Sequence, residues 1–192
     1  LIARSMAAEK WTREFFRKLK ELSQVHYEQT GTMTGFIEYG GARRDLNFRA
    51  LRDHSYGSRS WESWDRHYWM SGVSDDGDSW TVTTIRYDFI DRLSAGFVIS
   101  PDGAVDAIVD CTDLETISRD AVWPSEGVVD IMTGQGKRHV LEFTRPGYFP
   151  YLMDDTYWML EGIGRYRFNG VKGLGMVEFG FTRGRYDVGA LR

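Results

Sequence analysis

The chain has 192 residues, with 24 Lys or Arg against 28 Asp or Glu, which gives a formal net charge of −4. This mildly acidic balance excludes the broad basic surface on which nucleic-acid binding depends, and its short apolar runs exclude a membrane-spanning helix. The single cysteine, Cys111, excludes an internal disulfide and a cysteine-rich zinc site. A chain of this length is expected to fold as one domain with a sizeable core.

The first six residues, 1–6, lack the apolar stretch and the small-residue cleavage site of a secretory signal. They are interpreted as a flexible start, left by expression or by a cut from a longer protein. A cytoplasmic location is expected. The expected assembly is a monomer or a weak homodimer, with a neighbouring domain if the natural chain is longer.

Residues 7–24 carry an amphipathic pattern. The apolar residues Trp11, Phe15, Leu19 and Leu22 recur at spacings of three or four, with charged residues between them. Apolar residues at these spacings lie on one face of an α-helix. The pattern predicts one N-terminal helix that plugs or flanks the domain.

From residue 25 onwards the apolar pattern changes to short segments that alternate or are rich in β-formers, as strands do. The predicted strands cover residues 25–39, 43–51, 67–73, 80–87, 93–99, 105–111, 127–133, 137–143, 156–168 and 173–182. Dipeptides such as Asp102-Gly103 and Asn169-Gly170 separate several of them. These pairs tolerate the positive φ that tight hairpin turns require.

Regular short strands without intervening helices favour an antiparallel meander. A sheet of about 8–10 strands loses its exposed edges when it closes. The sequence therefore predicts a mainly β fold, a single antiparallel barrel over residues 25–183. A β-sandwich is the alternative. Residues 184–192 lose the apolar pattern and are expected to form a flexible end.

The densest group of ionisable and aromatic side chains lies between residues 51 and 69. These residues include two His, three Trp, two Tyr and three carboxylates. A solvated loop does not normally concentrate tryptophan, and a core strand does not normally concentrate charge. Aromatic walls can desolvate a carboxylate or imidazole and move its pKa toward neutrality, which suits general acid–base chemistry. The segment is predicted to line the mouth of a cavity.

Part of this segment carries a resemblance. Residues 53–57 read Asp-His-Ser-Tyr-Gly and resemble the Asp-His-x-aromatic-Gly element of the lipocalin-like superfamily that includes carotenoid 1,2-hydratase and related fungal pericyclases. Residues 52–61, with the Gly-Thr-Met-Thr-Gly of 31–35 upstream, resemble an uncharacterised lipocalin-like domain found beside phosphotransferase-type modules. The similarity covers about residues 25–70. The hydratase family usually has two lipocalin-like domains, whereas this chain has room for one.

The resemblance implies a hydrophobic ligand held in a β-barrel or between two barrels. In the hydratase, an acidic residue beside an aromatic wall protonates a polyene double bond, and π faces stabilise the carbocation before water adds. By this likeness Asp53 is the catalytic proton donor or orients a catalytic His54. Tyr56 is a hydrogen-bonding wall residue, and Gly57 permits the turn. The other expected contacts with substrate are Trp61, Trp64, Trp69, Arg52 and Arg59.

Each of these residues also has a structural interpretation. Asp53 can pair with Arg52, with Arg59 or with an interior Arg from another strand. His54 can hold its loop through backbone carbonyls, and tryptophans more often pack in cores or rims than bind substrate. His67, at the start of a predicted strand, is interpreted as structural.

Two classes of function follow. As an enzyme of the lyase or isomerase type, the chain would bind a polyene, isoprenoid or polyketide-like molecule and catalyse acid-assisted hydration, cyclisation or isomerisation. As a binding module, it would carry or sense a lipophilic ligand without turnover. The enzyme is favoured, because an Asp-His pair in aromatic surroundings is costly unless it is satisfied or used. No metal and no cofactor are expected, and the expected partner is a hydrophobic small molecule.

Overall fold

The computed structural model describes residues 24–57, 60–118 and 122–186, together with Arg13, Arg17, Lys20 and Glu21. The helix predicted over 7–24 lies mostly outside the described residues, and the four described positions within it have helical backbone. Arg59, an expected substrate contact, and residues 187–192 also lie outside them. Among the described residues, no helix has the length and apolarity needed to cross a bilayer.

The described residues form eleven strands and one short helix. In chain order these are β1 (Gln24–Tyr39), β2 (Ala42–Gly57), β3 (Trp64–Ser74), β4 (Ser79–Tyr87), β5 (Ile90–Ile99), β6 (Val105–Cys111), α1 (Leu114–Ile117), β7 (Glu126–Thr133), β8 (Arg138–Thr144), β9 (Phe149–Met153), β10 (Tyr157–Phe168) and β11 (Val171–Thr182). Each of the ten predicted segments overlaps one of these strands. The pattern predicts neither β9 nor α1, because β9 has only five residues and contains a proline, and α1 is a single turn.

Strands β3 to β11 form one antiparallel sheet that closes on itself. Its order is β11-β3-β4-β5-β6-β7-β8-β10-β9, and β10 also pairs with β11, which joins the two ends. The first half of β10 pairs with β9 and the second half with β8. Strands β8 and β9 therefore share one position in a barrel of eight strands. The predicted antiparallel barrel is confirmed, because a closed sheet excludes the sandwich.

One hydrophobic core fills the interior of this barrel. All eight strand positions contribute buried side chains to it. The rings of Trp80 and Phe168 stack across it with centroids 4.8 Å apart, and Tyr68 and Phe179 are almost fully buried beside them. Aromatic side chains thus occupy the interior space in which a lipocalin-like barrel was expected to hold its ligand.

Strands β1 and β2 form a separate hairpin, although the sequence analysis placed them in the barrel. The sixteen residues of each strand are paired along their whole length, from Gln24 opposite Gly57 to Tyr39 opposite Ala42. In the described part of the chain neither strand joins the nine-stranded sheet. A barrel strand needs one apolar face. β2 carries Arg43 and Arg49 on one face and Arg44 on the other, so neither of its faces can be buried in the barrel wall.

The chain after β11 is held by a buried carboxylate. Arg185 Nη1 donates to Asp65 Oδ1 at 2.6 Å, and the Tyr186 hydroxyl donates to Asp65 Oδ2 at 2.8 Å. Asp65 is 4% exposed and therefore depends on these partners. The described start of the predicted flexible end, residues 184–186, is thus bonded to the barrel.

Closure of the barrel brings β11 very close to β3 at Gly175. A Cβ at this position would lie 1.8 Å from the carbonyl oxygen of Ser71. We expect Gly175→Ala to lower the free energy of unfolding by about 3 kcal/mol, because backbone on both strands must shift. Urea denaturation measures the change. In the matched control, Gly147→Ala, the new Cβ meets no described atom within 4 Å, and an equal loss there would contradict the explanation.

Candidate functional site

A cavity of about 650 Å³ lies between the outer face of the barrel and the β1–β2 hairpin. Successive residues of a strand point to opposite faces. Trp69 and Glu178 are cross-strand partners. Trp69 follows the core residue Tyr68, and Glu178 precedes the core residue Phe179, so both point outward and form part of the cavity floor. The hairpin forms its roof. The volume is in the range of small-molecule sites.

Aromatic side chains make up one wall of the cavity. Trp61 stacks on Tyr157 with ring centroids 5.2 Å apart, and Trp64 meets Tyr87 edge to face at 5.1 Å. Trp61 and Trp64 are 4% and 8% exposed. All three tryptophans expected to contact substrate, Trp61, Trp64 and Trp69, line this cavity. The wall therefore offers a large apolar surface with π faces.

Two carboxyl groups lie side by side on the cavity floor. Glu161 on β10 and Glu178 on β11 are direct cross-strand partners. The Tyr151 hydroxyl donates to Glu161. Two neighbouring carboxyl groups cannot both ionise easily, and the proximity of Glu178 accordingly raises the pKa of Glu161. We call Glu161 and Glu178 the carboxyl pair.

A buried histidine orients this pair. His67 Nδ1 lies 2.7 Å from the Tyr157 hydroxyl, and His67 Nε2 lies 2.5 Å from Glu178 Oε1, both within hydrogen-bonding distance. Both His67 and Tyr157 are buried, at 4% and 0% exposure. His67, which the sequence pattern predicts to be structural, thus lines the cavity and contacts Glu178 of the carboxyl pair.

The surroundings of Glu161 favour its protonated form. Burial raises the pKa of Glu161 above its ordinary value, the Tyr151 hydrogen bond lowers it, and the neighbouring Glu178 and Asp53 charges raise it further. Burial and the Glu161 contact raise the pKa of Tyr151 as well, so its hydroxyl stays a hydrogen-bond donor. The floor of the cavity therefore carries a carboxylic acid that can give up a proton to a bound molecule.

The structure separates the two residues that were expected to act together. Asp53 lines the cavity, and its Oδ2 lies 3.6 Å from His26 Nε2. His54 points to the opposite face of β2, with Nδ1 3.0 Å from the Tyr27 hydroxyl. The strand predicted over residues 43–51 extends to Gly57 in the structure. Neighbouring residues within a strand point to opposite faces, so Asp53 and His54 cannot face the same side.

Arg52 and Tyr56 lie with His54 on the face turned away from the cavity. Arg52 Nη2 is 3.3 Å from His54 Nδ1, and the Tyr56 ring meets the His54 ring edge to face at 5.5 Å. These three residues form a small polar–aromatic group on the hairpin. Of the described residues in the 53–57 element, Asp53 and Ser55 line the cavity.

Sequence reasoning misses the carboxyl pair altogether. Its signal was present, because Glu161 is the one charge in the apolar stretch 157–164 and Glu178 the one charge in the apolar stretch 173–182. A charge in such a strand is expensive unless it has a partner. The register that makes the two glutamates partners could not be read from the pattern.

Comparison with known proteins assigns the chain to a family. Residues 10–183 match the family model described as a domain of unknown function, DUF7064. The chain belongs to this family. No curated protein matches the DUF7064 chain.

The DUF7064 chain is similar in structure to a Nitrosomonas europaea protein, named as an AttH, whose crystal structure was solved at 2.00 Å. The TM-score is 0.54 at 15% sequence identity, and the match covers 81% of this chain and 51% of the other. The chain thus spans about half the length of that protein. At this identity the likeness shows the fold alone, which is lipocalin-like.

The raised pKa of Glu161 makes a prediction about stability. The folded protein binds this proton more tightly than the unfolded chain does. The stability that protonated Glu161 contributes is therefore fully present below its ordinary pKa of 4.5, and it is lost as the pH rises through the raised pKa of the folded state. Glu161→Gln keeps an acceptor for Tyr151 and supplies a donor to Glu178 without the charge. We expect this variant to be more stable than wild type at about pH 7, with no difference at about pH 4.

Urea denaturation across this pH range tests the prediction. Glu126→Gln is the control, because Glu126 is exposed and outside the cavity. A Glu161→Gln variant that is less stable than wild type at neutral pH would show that the carboxylate is preferred in the folded state.

Proposed function

We propose that this DUF7064 domain binds a hydrophobic small molecule in the cavity under the hairpin and catalyses its acid-assisted hydration, cyclisation or isomerisation. The observation that carries the proposal is the carboxyl pair, Glu161 and Glu178, on the floor of an aromatic-walled cavity. A protonated carboxyl group next to a large apolar surface is what protonation of a carbon–carbon double bond requires. A polyene, isoprenoid or polyketide-like substrate fits this surface.

Recognition rests on apolar contact. The apolar residues that line the cavity include Trp61, Trp64, Phe97, Met153 and Met159. Flat aromatic rings and flexible thioethers both pack well against an extended hydrocarbon. The carboxyl pair and its tyrosine and histidine partners are the polar groups that would fix the orientation of the substrate.

In the proposed reaction, Glu161 gives its proton to one carbon of a double bond. The π electrons form the new C–H bond, a carbocation remains on the other carbon, and Glu161 becomes a carboxylate. In hydration, water adds to the cation and returns a proton to Glu161. In isomerisation or cyclisation, the cation is quenched by loss of a proton to Glu161, after ring closure in the second case. Each route restores the starting protonation state.

The cavity is suited to the positive charge that develops. The π faces of Trp64 and Tyr87 attract a cation, and Glu178, held by His67, supplies a fixed negative charge nearby. Asp53, the proton donor implied by the resemblance to the hydratase, faces the same cavity and raises the pKa of Glu161. We assign the proton transfer to Glu161 and a supporting electrostatic role to Asp53.

The second candidate function is a carrier or sensor of a lipophilic ligand without turnover. The large apolar wall favours it, since that surface alone is enough for binding. The two functions differ in whether the carboxyl pair is needed, so binding and product formation must be measured separately.

Binding can be measured with all-trans-retinol, a neutral polyene, through quenching of tryptophan fluorescence. We expect Trp64→Ala to weaken binding by about 10-fold, because the variant loses the apolar contact of one buried ring. Val128→Ala is the control, since Val128 is exposed on β7 outside the cavity. Equal weakening in both variants would exclude this cavity as the binding site.

Turnover can be measured by mass spectrometry after incubation with a panel of polyenes and isoprenoid alkenes. Hydration adds one water to the mass, and isomers separate by chromatography. We expect Glu161→Gln to retain retinol binding and to lose at least about 100-fold in rate, whereas Glu126→Gln keeps the wild-type rate. Full activity in Glu161→Gln would refute the acid role. Binding without any product in the wild type would favour the carrier.

A further inference from the structure

The hairpin roof carries a mixed group of metal-ligating side chains. In the β1–β2 register His26 is opposite Ser55, and Glu28 is opposite Asp53. All four side chains share the hairpin face turned toward the cavity and line it. An imidazole and two carboxylates therefore meet at one point of the roof.

The distances within this group match the coordination sphere of a small cation. His26 Nε2 lies 3.1 Å from Glu28 Oε1 and 3.6 Å from Asp53 Oδ2, and all three ligand atoms lie within 4.8 Å of one another. Ligands about 2.0–2.1 Å from a tetrahedral ion stand about 3.3 Å apart. A proton on His26 Nε2 can form a hydrogen bond to only one of the two carboxylate oxygens at a time. A divalent ion at the centre of the group would bond to the nitrogen and to both oxygens.

Neighbouring groups orient the ligands as outer-shell partners do in metal sites. Ser55 Oγ is 2.7 Å from His26 Nδ1, which leaves Nε2 directed at the carboxylates. Trp69 Nε1 donates to Glu28 Oε1 at 2.6 Å. The Glu28 side chain is 9% exposed, while those of His26 and Asp53 are 41% and 44% exposed. The group is thus rigid on its inner side and accessible to an ion from solvent.

The charge of the whole cavity points to a cation independently of this geometry. With Glu161 protonated, its described lining residues still include three carboxylates, Glu28, Asp53 and Glu178, and two imidazoles, but neither lysine nor arginine. Low-dielectric aromatic walls strengthen the resulting negative potential. A divalent ion at the roof would offset most of it.

We propose that His26, Glu28 and Asp53 bind one divalent transition-metal ion, of which Zn²⁺ is the expected species. One imidazole with two carboxylates suits zinc, and three protein ligands leave a fourth position for water or a ligand atom. That position faces the cavity. The ion would hold an oxygen of a bound molecule against the roof while its hydrocarbon part contacts the wall.

The metal site shares the cavity of the proposed function but does not depend on catalysis. Proton transfer by Glu161 requires no metal, and metal binding requires no turnover. Retinol binding and product formation measured in EDTA therefore test the proposed function, and metal binding measured without substrate tests the site.

The test is a calorimetric titration of EDTA-treated, dialysed protein with ZnCl₂. We expect one Zn²⁺ per chain. His26→Ala and Asp53→Asn should bind at least about 100-fold more weakly, since even an outer-shell partner is worth about 10–100-fold. The matched control is His54→Gln, because His54 lies on the same hairpin but on its opposite face and should leave affinity unchanged. Circular dichroism of each variant in EDTA verifies the fold.

X-ray absorption at the zinc edge of the wild-type protein keeps the proposal testable if a variant fails to fold. The expected spectrum has one imidazole nitrogen and oxygen ligands at about 2.0 Å. Absence of stoichiometric zinc, a zinc shell without imidazole, or equal loss of affinity in His54→Gln would each overturn the site.

Discussion

Trp80 and Phe168 stack across the barrel interior, and with Tyr68 and Phe179 they occupy the space in which an eight-stranded barrel can hold a ligand. Every strand position contributes to this core, and the pairing of β10 with β11 closes the barrel around it. Because the interior is full, polar chemistry can take place only on the outer face. The outward positions of β3, β10 and β11 carry Trp69, His67 and the carboxyl pair, which an interior site would otherwise contain.

The outer face becomes a cavity because the hairpin covers it. Among the described residues, hydrogen bonds from Trp69 Nε1 to Glu28 and from Arg49 Nη2 to the carbonyl oxygen of Gly77 connect the hairpin to the barrel. An isolated two-stranded hairpin is marginally stable. The roof therefore depends on the barrel for its position, and the barrel depends on the roof to exclude water from the carboxyl pair. Glu28 is central, since it joins the two parts and also belongs to the proposed metal site.

Much of the fold follows from the sequence, whereas the site follows only in part. Alternating apolar residues and Gly-containing turns predict the barrel strands, and the tryptophans near residue 61 predict a cavity wall. The orientation of His54 was missed because the predicted strand ended at residue 51. Only when β2 continues to residue 57 does the alternation of side chains along the strand fix which face His54 occupies. Glu161 and Glu178 are 17 positions apart, and only the β10–β11 register makes them neighbours.

The same arrangement divides stability and function between two faces of one sheet. Side chains that hold the barrel together point inward, and those that contact the cavity point outward from the same strands. Mutations that destabilise a protein come mostly from its core, so substitutions at exposed cavity positions such as Met176 can accumulate without unfolding the domain, whereas Trp61 and Trp64 belong to a buried cluster. A barrel of this kind is an evolvable scaffold, on which one fold can acquire different ligand preferences through changes at alternate residues and in the hairpin.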